Sequence, residues 1–143
     1  MKANRLFLAI VFALGGGLAF AAQIEQPAAK TVMHAPSGVK YLVGGVGDDE
    51  KAALDAVKAD YNCRLTFAVK MSGAYLADVT VRVVNLASQA EVLNLVVPGP
   101  FLLANLPAGK YSVSAVYRGE MLTTELTIKA NQAREHVFRF AQE

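Results

Sequence analysis

The chain of 143 residues is long enough for one domain and a leader, not for two. It is 54% hydrophobic, with one cysteine, no tryptophan, two histidines and a formal charge of +2. Those counts exclude wholesale disorder and a disulfide-stapled mini-protein, and they argue against a zinc cluster or a strongly basic nucleic-acid face.

Residues 1–21 read as an export signal. Lys2 and Arg5 make a positive start, residues 6–20 are uncharged and mostly apolar, and Ala19-Phe20-Ala21 offers small residues where a signal peptidase inspects the chain. A membrane anchor is the competing reading, but Gly15-Gly16-Gly17 breaks the apolar run and the small-x-small site closes it. Cleavage near Ala21 removes Lys2 and Arg5, which leaves 12 basic against 12 acidic residues. The expected mature protein is therefore neutral, periplasmic and not inserted in the membrane, with no field to steer it to nucleic acid. In an oxidising compartment Cys63 has no partner within its own chain. A buried thiol acting as a small hydrophobe is the plain expectation, and an intermolecular disulfide is the alternative.

Residues 22–46 mix alanine, charge and proline without a clear period and read as a flexible lead-in. Within them, residues 39–43 form a short apolar run with the character of an added edge strand, broken by Gly44-Gly45-Val46-Gly47. Residues 47–61 then carry one accessory helix. Asp48 suits the N-cap, Asp49 and Glu50 put negative charge on the first turn, and Asp55 can pair with Lys51. Ala53, Leu54, Val57 and Tyr61 fall on one helical face. Neither a phosphate loop nor a calcium loop fits this region, because the Gly-Lys-Ser/Thr and the alternating oxygen ligands are missing.

From residue 62 the hydrophobic period changes from about 3.6 to two. Leu65, Phe67 and Val69 alternate with polar neighbours, as do Val79, Val81 and Val83, and then Tyr111, Val113, Ala115 and Tyr117. Residues 91–97 and 101–106 are nearly continuous apolar runs, while residues 122–128 and 136–140 alternate again, which makes seven strands. Ser72-Gly73, Arg118-Gly119 and Ala130-Asn131-Gln132 supply turns, Ala87-Ser88-Gln89 is a turn without glycine, and Pro98-Gly99-Pro100 and Pro107-Ala108-Gly109 bar sheet pairing. This pattern predicts a mainly β fold, a seven-stranded antiparallel sandwich spanning 62–143 with one short N-terminal helix. Gly109 is expected to take a positive φ in a turn, and Tyr111 to open a central strand with its ring in the core.

The segments Ala77-Asp78-Val79-Thr80-Val81, Gly99-Pro100-Phe101 and Leu106-Pro107-Ala108-Gly109-Lys110-Tyr111-Ser112-Val113 resemble the carboxypeptidase regulatory-like domain. The resemblance covers residues 62–140 and implies a Greek-key, transthyretin-like sandwich. Residues 41–50 with Tyr61-Asn62 also look like small exported Gram-negative proteins that carry this domain. In the enzymes that name the family, the domain is an accessory to a separate catalytic domain.

No catalytic residues and no metal ligands emerge: neither His34 nor His136 has a glutamate at helical ligand spacing. No constellation of nucleophile and base, or of paired carboxylates, passes an active-site test, and no cofactor is implied. The functional expectation is a non-catalytic binding or assembly module whose partner is an envelope protein or a glycan. A small periplasmic enzyme is the alternative. The candidate binding residues are Tyr75, Pro98, Gly99 and Phe101, set against the plainer expectation that Tyr75 and Phe101 belong to the core. The lack of tryptophan weakens the glycan reading.

Overall fold

The computed structural model describes residues 31–142, so the expected export signal and the start of the lead-in lie outside the described residues. Nine strands and one α-helix follow in the order β1 (Met33–His34), β2 (Lys40–Gly44), α1 (Asp48–Val57), β3 (Cys63–Val69), β4 (Val79–Asn85), β5 (Glu91–Val97), β6 (Phe101–Ala104), β7 (Gly109–Tyr117), β8 (Glu120–Ile128) and β9 (Arg134–Phe140). They form a five-stranded sheet, β1-β2-β6-β3-β9, and a four-stranded sheet, β5-β4-β7-β8.

The period-two pattern decides which side chains meet between the sheets. Leu65 and Phe67 of β3, Val79, Val81 and Val83 of β4, Tyr111, Val113 and Ala115 of β7, and Phe138 and Phe140 of β9 are buried in one common core. Phe67 and Phe138 stack there with centroids 5.8 Å apart. The proline-rich breaks are where the chain changes sheets: Pro98-Gly99-Pro100 leads from β5 to β6, and Pro107-Ala108 from β6 to β7. Proline cannot donate to a ladder, so pairing ends at these points and the chain crosses over. The hairpins stay within one sheet. Tyr117 pairs with Glu120 around Arg118-Gly119, whose φ angles of 45° and 83° give the left-handed turn that matches strand twist. At the turn without glycine, Gln89 takes φ 61°, and the Asn85 carboxamide accepts the N–H groups of Ala87 and Ser88 at 2.9 and 3.1 Å. A side chain thus organises the turn that the missing glycine left open.

Four sequence expectations change. First, the seven strands are joined by β1, within the stretch read as a flexible lead-in, and by β2, where the apolar run 39–43 had the character of an added edge strand but lies between β1 and β6. Leu42 of β2 is buried and pairs with Leu103 of β6. Second, the sandwich is not wholly antiparallel, because β3 and β9 run parallel from Cys63–Arg134 to Val69–Phe140. The connection that parallel strands need is supplied by the intervening strands, not by a helix. Third, Gly47, with φ 83°, and not Asp48, stands at the helix N-cap, and no side chain caps it. The three acidic residues Asp48, Asp49 and Glu50 occupy the first turn, where the helix dipole favours them. Asp55 faces Lys58 at 3.8 Å, not Lys51. Fourth, Gly109 does take the expected positive φ, at 157°, but as the first residue of β7 and not within a turn.

Helix α1 lies outside the main core, on the outer face of the five-stranded sheet. Leu54 and Tyr61 bury against Leu42 and Leu103, with Val57 and Phe101 at the margin. A short 3-10 turn, Lys58–Asp60, separates Val57 from Tyr61, so the predicted face is shared between the helix and the residue that follows the turn. No helix among the described residues is long and apolar enough to cross a membrane.

Candidate functional site

Three loops meet at the end of the sandwich where β6 begins. The β5–β6 connection passes close over the end of β2: an added Cβ at Gly99 would collide with the carbonyl of Gly44. The Pro100 carbonyl accepts the Phe67 N–H at 3.0 Å, which fixes this crossover on β3. Gly45 lies under the ring of Phe101, with φ 98° and no room for a Cβ. The β3–β4 loop approaches from the other side. Its Gly73 N–H donates to the Val69 carbonyl at 2.9 Å, and the Val69 N–H donates to the Ala74 carbonyl at 2.8 Å. Tyr75 forms a bridge with Ala68. Backbone bonds on both flanks therefore set the position of Tyr75.

The result is an aromatic pair. The Tyr75 and Phe101 rings meet edge to face with centroids 5.1 Å apart, and the Lys51 ammonium from α1 stands 5.7 Å from the Tyr75 centroid. Tyr75 is 54% exposed, which overturns its expected place in the core, while Phe101 is half-buried. Pro98 is exposed and Gly99 is buried beneath the crossover. The structure thus joins Tyr75 directly to Phe101, whereas Gly99 acts through the backbone path that places Phe101. Exposed Val46 lies in the adjacent loop, and exposed Met71 in the same loop as Tyr75.

A cleft of about 140 Å³ continues from Phe101 between α1 and β9. Leu54 and Lys58 form one wall, Thr66 of β3 lies in the floor, and Val137 of β9 forms the opposite wall. Arg64 donates to the Glu135 carboxylate at 2.9 Å across the cleft, and to the Lys58 carbonyl at 3.0 Å. His136 borders the cleft, its ring edge to face with Phe138 at 4.6 Å, and burial holds its pKa below the usual histidine value. The helix covers β2 and β6 but leaves this strip of β3 and β9 open. No sequence motif marked that strip, since its residues come from three separated segments.

Among the described residues no group of three or more His, Cys, Asp or Glu side chains is placed to hold a metal ion. Cys63 is free and 1% exposed, and burial pushes its thiol pKa up to about 12, so the sulfur stays protonated and inert. Tyr111 is equally buried, and its hydroxyl donates to the Pro107 carbonyl at 2.6 Å. Sequence reasoning missed an asparagine clasp at the other end of β6. The Asn62 carboxamide bonds both the N–H and the carbonyl of Leu106, and Asn105 accepts the Asn62 N–H at 3.1 Å. It ties the start of β3 to the end of β6, and nothing in residue spacing announces it.

No protein-family model matches the chain, and no curated protein matches it.

Proposed function

We propose that the protein is a non-catalytic binding module of the periplasm that takes a protein partner at the Tyr75–Phe101 end of its sandwich. The observation that carries this reading is the half-exposed Tyr75 ring, held edge to face on Phe101 by backbone contacts on both sides. A rigid, partly exposed aromatic loses little entropy on binding and offers both apolar area and a hydroxyl, which is why tyrosine is enriched at interface centres. The cleft beside it, with the Arg64–Glu135 pair and Val137, supplies a mixed polar and apolar rim. A protein is favoured over a glycan because Lys51 already stands over the Tyr75 ring, where a sugar would stack. Export rests on the leader at residues 1–21. Kinship with the carboxypeptidase regulatory-like domain, and with it a Greek-key, transthyretin-like arrangement, rests on the quoted segments and on the Gly109–Tyr111 entry into β7.

The test is capture from cell-envelope extract by the purified protein and by Tyr75→Ser, with the exposed Thr123→Ala as control. Capture of a partner by the protein and the control, lost with Tyr75→Ser, is the expected result. Equal capture by all three overturns the assignment of the site.

A further inference from the structure

Among the described residues, strand β5 is an edge of the four-stranded sheet, paired only with β4. The carbonyl of Val97 points toward β4, where it accepts the Asp78 N–H at 2.8 Å. Backbone groups alternate sides along a strand, so those of Asn94 and Val96 point away from β4. Among the described residues no strand lies there to receive them. The register shifts opposite Val83 and Val84, which bulges the strand at Val92, and the outward carbonyl of Val92 is already taken by the Ser37 hydroxyl at 2.6 Å. At the other end Pro98 has no N–H to give. The open part of the edge is therefore bounded on both sides and contains two residues with donor and acceptor facing out. Residues 92–97 carry no charge, the protection that exposed edges commonly use.

A second feature lies on the same edge. The seam between β5 and β2 is open as a cleft of about 240 Å³, bordered by Pro36, Ser37, Tyr41, Leu93 and Leu95. Leu95 points to the interior side of the sheet yet is only half-buried, because the seam leaves it uncovered. Val96, on the opposite face, is 57% exposed.

We infer that β5 is the interface with a second copy of this chain, the two β5 strands pairing antiparallel about a two-fold axis at Leu95. A two-fold makes each copy offer the same surface, so the edge must complement itself. Centring on Leu95 sets Asn94 opposite Val96 of the second copy, and the reverse. Each pair exchanges two backbone hydrogen bonds, so every outward group of the open edge is satisfied. The Ser37–Val92 bond stays in place, and no charged residue meets its like. Leu95 meets its own copy at the open seams, where both side chains lose contact with water. The four-stranded sheets join into one continuous sheet across the axis.

The geometry makes Leu95 a non-hydrogen-bonded pair with its mate, at a Cα separation of about 4.5 Å. That lies within the roughly 4.4–6.8 Å that a disulfide spans. Leu95→Cys should therefore give a covalent dimer on mild oxidation, and the buried Cys63 adds no background. Thr123→Cys, on the outer face of β8, should give none. In sedimentation over a concentration series the unmodified protein should pass from one chain to two. Val96→Pro should weaken that association roughly tenfold or more while keeping the β4 ladder and, at concentrations where the unmodified protein is a single chain, the melting temperature, because the N–H it deletes points away from β4. A mass of one chain at every concentration overturns the inference. So does a dimer insensitive to Val96→Pro, or cross-linking of Leu95→Cys no faster than Thr123→Cys. Association with a different protein in place of a second copy also refutes it.

Discussion

Replacing Tyr111 is the sharpest perturbation of the fold that positions the site. Its side chain is 1% exposed and sits among the common core of both sheets, in phase with Val113 and Ala115. Tyr111→Ala removes the whole ring and leaves a cavity, at a cost of about 3–5 kcal/mol by the range for large aromatics. Domains of this size have roughly 5–15 kcal/mol in total, so the variant should be marginal or unfolded at ordinary temperature. Tyr111→Phe keeps the ring but strips the Pro107 carbonyl of its 2.6 Å donor, a loss of about 1–2 kcal/mol. Lys110→Ala changes an exposed neighbour on the opposite face and should do almost nothing. Urea titrations of the three variants, with equal slopes checked, give the order directly. If Tyr111→Ala is as mild as Lys110→Ala, the phase of β7 is wrong by one residue. Ser112 and Ser114 would then face the core, and the two-sheet packing would lose its centre.

Two further expectations follow from the surroundings of Cys63 and Gly45. Burial raises the Cys63 pKa from its usual value near 9 to about 12, so its contribution to stability is intact below about pH 9 and is lost as pH rises toward 12. Urea midpoints at pH 8 and pH 11 should therefore fall further for the unmodified protein than for Cys63→Ala, with both also losing stability from Tyr111 and Tyr61, whose pKa values are raised chiefly by burial. An identical fall in both would place the thiol in water. Gly45→Ala combines a positive φ with a Cβ driven into the Phe101 ring. It should cost about 1–3 kcal/mol in thermal melts and lower partner capture along with Tyr75→Ser. A wild-type melt with full capture would show that Phe101 does not depend on that close approach.

What was legible in the sequence was set by side-chain period and by prolines. The alternation of Val79, Val81 and Val83 and of Tyr111, Val113 and Ala115 placed those residues on the inner faces they occupy. Pro98-Gly99-Pro100 and Pro107-Ala108 marked two crossings between sheets. Strand β2 was only glimpsed in its short apolar run, because its neighbours in the chain carry no period and its partner, β6, lies far along the sequence. The parallel β3–β9 pair was hidden for a related reason: alternation fixes which face a residue takes, not which strand lies beside it. At the site, Tyr75, Pro98, Gly99 and Phe101 were named from loop position. The sequence did not show that Gly45 would make room for Phe101, or that Lys51 would reach Tyr75 across the end of the sandwich. The cleft beside α1 was equally silent, since it exists only where the helix stops short of β9.

The claim that this end of the sandwich meets a partner is tested most directly by a photo-reactive side chain placed at position 75 and, separately, at the exposed position 123, in the protein produced in cells. The account predicts one discrete cross-linked adduct with an envelope protein from position 75 that is absent from position 123 and reduced when Phe101 is changed to Ser. No adduct from position 75, or the same adduct from both positions, would contradict it.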